Sequence, residues 1–372
     1  MSPSRYPAQP WPWSSSDPWG WGDKTGNVRV AGVVEVREDD AKGSDRGEDA
    51  LARLNRLVAQ DLVACNTLII ERMQSPVALI PQLAAHIIAA GGKRLRPLLT
   101  LAASRLCGYD GMRHVALAAC VEFIHTATLL HDDVVDESAL RRGQASANAL
   151  FGNKASVLVG DFLFARAFQL MIEDKSLEVL GILAGASATI AEGEVLQLIT
   201  QNDLSSTEAQ YLEVIQGKTA ALFAAAARLG AVVGGRPQAE AEALDAYGNN
   251  LGIAFQLVDD ALDYSAEQAR LGKTVGDDFR EGKITLPVLT AFHAGDAAEQ
   301  EFWRRTLEAG EQNDEDFAEA QRLLARHGGV ERTIERAELY GNAALAALEI
   351  FPQGEARAAL ADVVRFCIER AR

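Results

Sequence analysis

The chain has 372 residues, 48% of them hydrophobic, and a formal charge of −16. That length and apolar content support one large core or two ordinary ones, and the acidic balance argues against a nucleic-acid partner or a polybasic membrane anchor. Four cysteines, Cys65, Cys107, Cys120 and Cys367, stand far apart with no Cys-x-x-Cys pair, which argues against zinc and against a disulfide framework and suits a reducing cytosol.

Residues 1–48 differ from everything after them. Trp11, Trp13, Trp19 and Trp21 lie among Pro, Ser and Gly, and charged runs follow, so a disordered or loosely docked extension is expected there, with a catalytic domain over residues 49–372. From Leu51 apolar residues recur at helical spacing through Leu54, Leu57, Val58 and Leu62, and again from Val77 to Ile88. Glycines punctuate the chain at Gly91-Gly92, Gly108, Gly234-Gly235, Gly272 and Gly328-Gly329, and Ser205-Ser-Thr-Glu208 has the form of a capping box opening the helix that holds Tyr211 to Leu229. There are no hairpin signals, no convincing alternating strand, and no run that reaches the roughly 18 apolar residues of a membrane span. The expected fold is all-α, with roughly ten or more helices around a central set.

Chemistry concentrates in four places. Gly91-Gly-Lys-Arg-Leu-Arg-Pro97 breaks a helix and presents cations at the start of the next, which makes either a solvated basic turn or an anion pocket. The stretch from His125 to Arg142 runs from an apolar helix into Asp132, Asp133, Asp136 and Glu137, then Arg141-Arg142. Asp132 and Asp136 stand one turn apart, where like charges repel, so they are either a solvated end or half of a divalent-cation site. The same Asp-Asp-x-x-Asp spacing returns at Asp259, Asp260 and Asp263, on a helix expected to begin near Ala243. Two acidic ends rooted in core helices favour a metal clamp whose open coordination positions go to a phosphate ligand. The fourth group is cationic and dispersed: Lys218-Thr219, Lys273 and Lys283. Lys218 precedes an apolar run and, if buried, needs an anionic partner. Asp277-Asp278 reads equally as supporting acids or a solvated turn, and His131 as a packing rather than a ligating residue.

These motifs, in this order, resemble the trans-isoprenyl diphosphate synthases, or polyprenyl synthetases, from about Leu51 to Arg372. The resemblance implies the isoprenoid synthase fold, a helical bundle around a deep apolar cavity, usually as a homodimer. By it, Lys93, Arg96, His125 and Arg142 would bind isopentenyl diphosphate, and Arg141, Lys218, Thr219, Gln256, Lys273 and Lys283 the allylic diphosphate. Asp132, Asp136 and Asp259 would hold Mg2+, with Asp133, Asp260 and Asp263 completing or supporting the shell. The implied activity is head-to-tail condensation by a prenyltransferase in the cytoplasm or peripheral at the membrane that collects the product. Ala127 and Thr128, one turn before Asp132, are small, and Phe123 is the nearest aromatic on that helix. In this family bulky residues there shorten the product, so a long chain is expected, octaprenyl to decaprenyl, of the kind used for quinone side chains. Rival readings are a geranylgeranyl synthase, a terpene cyclase and a non-catalytic synthase subunit.

Overall fold

The computed structural model describes residues 45–89, 92–141, 144–265 and 275–371. The tryptophan-rich stretch, Arg142 and Lys273 lie outside them. The described residues belong to one compact unit, 43–372. Helices run α1 (Asp45–Leu57), α2 (Ala59–Arg72), α3 (Leu79–Ala89), α4 (Leu95–Leu106), α5 (Arg113–Val135), α6 (Ala147–Phe151), α7 (Asn153–Asp174) and α8 (Leu177–Thr200). They continue as α9 (Glu208–Ile215), α10 (Ala221–Val233), α11 (Gln238–Asp263), α12 (Asp277–Arg280), α13 (Leu286–Ala294), α14 (Ala297–Trp303), α15 (Asp316–His327), α16 (Gly329–Ala347) and α17 (Glu355–Glu369). The all-α expectation holds, with one exception: a two-residue antiparallel pair, β1 (Leu140–Arg141) with β2 (Gln144–Ala145), directly follows the first acidic motif. Strands that short carry no alternation for a sequence reading to find.

α11 is the axis of the molecule, packing along α10 on one side and α16 on the other. Its first half joins the main core through Leu244, Tyr247 and Leu251. Its second half joins a smaller core through Ile253, Leu257 and Val258, with Phe279 and Trp303. α5 belongs wholly to the main core, where Leu117, Val121, Phe123 and Ile124 are fully or almost fully buried. A buried side chain of this size contributes roughly 2 kcal/mol. Burial at that density anchors the ends of both helices and leaves their acids little freedom to drift.

Several boundaries differ from expectation for local reasons. The first apolar stretch is two helices, because the backbone leaves helical geometry at Val58. α9 is capped by Thr207 with Gln210, whose side chains each accept from the other's backbone N–H. Ser205 is engaged with Asp203 instead, its hydroxyl donating to Oδ1 at 2.6 Å. α11 starts five residues before Ala243, at Gln238 behind Pro237, and α1 starts at Asp45. α5, α7 and α8 are each long and apolar enough to cross a membrane by length and composition, correcting the expectation that no stretch is. Their Ala, Gly, Ser and Thr residues break up the visible apolar run without adding charge. α5 spends its apolarity on the core, whereas α7 and α8 expose Leu158, Ile172, Leu177 and Ile199, among others.

Candidate active site

Both acidic motifs sit at helix C-termini, where the backbone carbonyls already make the field negative and carboxylates are disfavoured. Side-chain cations offset them. Asp132, in the last turn of α5, lies 3.9 Å from the ammonium of Lys218, which is held in turn at 2.8 Å by Glu194 of α8. Burial raises the Asp132 carboxyl above the ordinary range against the pull of Lys218, and Glu194 and Asp136 push the same way as burial. Asp136, the cap of α5, lies 3.6 Å from Lys283 Nζ. Burial opposes the charge on Lys283, yet Asp278, Asp136 and Glu281 together hold its ammonium above the usual lysine range. Asp133 is taken by the Arg141 guanidinium, whose Nε donates to Oδ1 at 2.6 Å.

Lys218 reaches this place because the helix is irregular. Residues Gln216–Ala220 form a π turn between α9 and α10, and its extra residue re-aims the side chains around it. Against that turn lies α8, and the two backbones cross where Gly193 meets Gly217. A Cβ on Gly193 would stand 2.7 Å from the Lys218 nitrogen, so only glycine lets the helices approach this closely. The crossing sets Glu194 beside Lys218. From the same π turn, the Thr219 hydroxyl donates to Gln256 Oε1 at 2.9 Å and Gln256 Nε2 donates to Asp260 Oδ1 at 2.8 Å. The Tyr211 hydroxyl closes the chain on Asp260 Oδ2 at 2.5 Å.

The second motif is therefore distributed. Asp260 is buried and hydrogen-bonded, its carboxyl raised by burial against the two donors. Asp263 accepts backbone N–H groups from Gly276 at 3.0 Å, Asp277 at 3.3 Å and Asp278 at 3.0 Å, so it ties the start of α12 to the end of α11. Asp278 is carried by that turn to within 3.9 Å of Lys283, while Asp277 pairs outward with Arg280. Asp259 remains on the open side, 3.3 Å from Arg370 of the segment following α17. Among the described residues no three acids converge as a ready metal cage, because Lys218 and Lys283 stand between them. A cavity of about 100 Å³ lies here, lined by Lys218, Thr219, Gln256, Asp260, Asp278 and Lys283 among others.

A separate basic group forms at the mouth of α4. Arg96 lies with Nη1 3.2 Å from His125 Nε2 and its guanidinium 4.5 Å from the Phe223 ring. Lys93 lies over Phe366 of α17 at 4.8 Å. Ala127 and Phe123 are buried in the main core below Asp132, and the half-buried Thr128 donates to His125 O; none of the three lines the polar cavity. His131 points away, stacked on Phe164 with Nε2 3.5 Å from Asp161. Glu194, Tyr211, Phe366 and Arg370 were not legible as site residues; the one local signal was Gly193 beside Glu194.

Two acidic helix ends, facing lysines and a separate basic group define a class that sequence comparison identifies: residues 77–324 match the polyprenyl synthetase family, and the chain belongs to it. It is similar to the octaprenyl diphosphate synthase of Escherichia coli K12, 48% identical over 87% of this chain and 99% of the relative. A solved decaprenyl diphosphate synthase from Rhodobacter capsulatus is similar with a TM-score of 0.84 and 54% identity, over 87% of this chain and 99% of that one. A polyprenyl synthase from Caulobacter crescentus, solved with calcium and isoprenyl diphosphate, has a TM-score of 0.83 and 55% identity over 87% of this chain and 98% of that one.

Proposed function

We propose that the protein is a long-chain trans-polyprenyl diphosphate synthase, a prenyltransferase that adds isopentenyl diphosphate repeatedly to an allylic diphosphate. The observation that carries this reading is the pair of ammonium groups, Lys218 and Lys283, seated between the acidic ends of α5 and the α11–α12 corner, with a second cationic pocket nearby. One pocket with metal-binding acids would serve many phosphate enzymes; two anion pockets serve a condensation of two diphosphates.

The donors suit a hard divalent cation. They are carboxylate oxygens in surplus over nearby cations, and burial holds Asp132 and Asp260 above the ordinary range, a state an incoming dication relieves. Asp132, Asp136 and Asp259 would hold Mg2+, since Asp133, Asp260 and Asp263 are held by short or multiple bonds to protein donors, whereas Asp259 accepts only one 3.3 Å bond, from Arg370. When bound, Mg2+ neutralises diphosphate charge. Lys218, Thr219, Gln256, Lys283 and Arg141 bind the allylic diphosphate and meet the negative charge that develops as its C–O bond breaks. Lys93, Arg96 and His125 orient isopentenyl diphosphate so that its double bond attacks the allylic carbon. The departing diphosphate is the proton acceptor, and the buried surroundings keep water from the cation. Arg142 and Lys273 would join the two pockets.

Small side chains at Ala127 and Thr128 would let a growing chain displace the packing beneath Asp132, with Phe123 about one turn further. An octaprenyl to decaprenyl product follows, suited to a quinone side chain. Two copies pair through the apolar face of α7 and α8, in the cytoplasm, and pass the product to a membrane. Ala127→Phe shortens the product and overpacks the core by about 1–3 kcal/mol; parental length on product sizing contradicts the assignment. The function is tested by incubation with Mg2+, isopentenyl diphosphate and farnesyl diphosphate. Elongated prenyl diphosphates form, and none forms when a chelator is present from the start; no elongation with Mg2+ refutes the reading.

A further inference from the structure

The corner after α8 is tied more firmly than a connection between two helices requires. Asn202 adopts φ 59°, a left-handed conformation rare for a residue with a side chain. Its backbone N–H donates to Gly282 O at 3.0 Å and its Nδ2 to Leu307 O at 2.5 Å. Beside it, Gln201 Nε2 donates to Glu281 O at 2.7 Å. Gly282 is also left-handed, with φ 69°, and a Cβ there would run into the Asn202 carboxamide. Two of these hydrogen bonds fix the backbone on both sides of Gly282, the residue immediately before Lys283, and the third anchors Asn202 itself to Leu307.

The other lysine hangs from the same helix. Glu194 holds Lys218 at 2.8 Å, six residues before α8 ends at Thr200, or about 9 Å along the axis. The two ammonium groups face Asp132 and Asp136, one turn apart at the end of α5, so their separation has to match that turn.

We propose that Asn202, with Gln201, is a positioning residue for Lys283, and that α8 sets the spacing of the two lysines over the allylic diphosphate. The inference rests on the role given above to Lys283. Asn202 is not part of the cavity lining, and Gln201 stands at its wall with its amide bonded to Glu281 O; both fix the backbone from which Lys283 extends.

The test is a double-mutant cycle in the full chain. Asn202→Asp places an oxygen against Leu307 O, and Gln201→Leu removes the second tether without altering the strained residue. Each lowers kcat/KM for the allylic diphosphate by about tenfold, with KM for isopentenyl diphosphate unchanged, because Lys93, Arg96 and His125 sit on α4, its approach and α5. In a Lys283→Ala background neither change has a further effect. Affinity for inorganic diphosphate follows the same pattern, which decides the cycle even for a protein that elongates nothing. Full additivity in the Lys283→Ala background overturns the proposal, as does an equal rise in KM for isopentenyl diphosphate. Parental affinity and turnover in Lys283→Ala itself overturn both the positioning and the role of Lys283, and loss of elongation by the parent alone counts against the functional reading.

Discussion

At the end of α5, Asp132 and Asp136 face ammonium groups across a cleft, whereas at the end of α11 Asp260 and Asp263 are consumed by Tyr211, Gln256 and the backbone of 276–278. Identical spacing thus produces two arrangements. The α5 end is followed by a short β pair that takes up only Asp133, through Arg141. The α11 end is followed by a turn whose unpaired N–H groups need an acceptor, and Asp263 supplies it. What distinguishes the two is the chain that comes next, which decides how many carboxylates are left facing open space.

Substitutions can break this contrast. Asp132→Ala removes a carboxylate that burial penalises, so turnover falls about a thousandfold or more while the melting temperature stays at or above the parent's. A large drop in melting temperature would place Asp132 among the structural acids instead. Asp260→Asn leaves the amide facing one donor too many; stability falls by about 1–2 kcal/mol in chemical denaturation and turnover by about tenfold. Unchanged stability would show that the Tyr211 and Gln256 bonds do not hold the corner. Arg370→Ala has the smallest effect. Its ion pair with the half-exposed Asp259 contributes at most ~0.5 kcal/mol. Stability is therefore unchanged, and half-saturation by Mg2+ moves to about twofold lower concentration as a competing cation leaves. A shift to higher concentration would mean that Arg370 assists the site.

Much of this was legible in the chain itself. Apolar spacing gave α5 and α11, the repeated Asp pattern marked their ends, and the apolar run after Lys218 implied the anionic partner that Glu194 provides. Glu194 itself was hidden because a crossing of two helices places it, and only Gly193 and Gly217 record that crossing. Tyr211 marked only the start of a helix, and its partner Asp260 lies 49 positions away. Arg370 lies 111 positions from Asp259 and no local pattern links them. The cap of α9 was misplaced by two residues because Ser205 and Thr207 compete for the role and Asp203 diverts the first. The outward faces of α7 and α8 were unreadable for another reason: a helix that is apolar all round does not announce which side will be left uncovered.

The π turn at Gln216–Ala220 also bears on how this chain tolerates changes in length. Removing one residue from it would restore ordinary helical winding, a better hydrogen-bond pattern and an almost unchanged composition. It would also rotate everything on one side by about 100° relative to the other. Either Lys218 and Thr219 would turn out of the cleft, or the Ala-rich face of α10 would turn out of the core. A one-residue deletion here is thus a repair of the helix and a loss of the site, so length at this point is as constrained as any side chain.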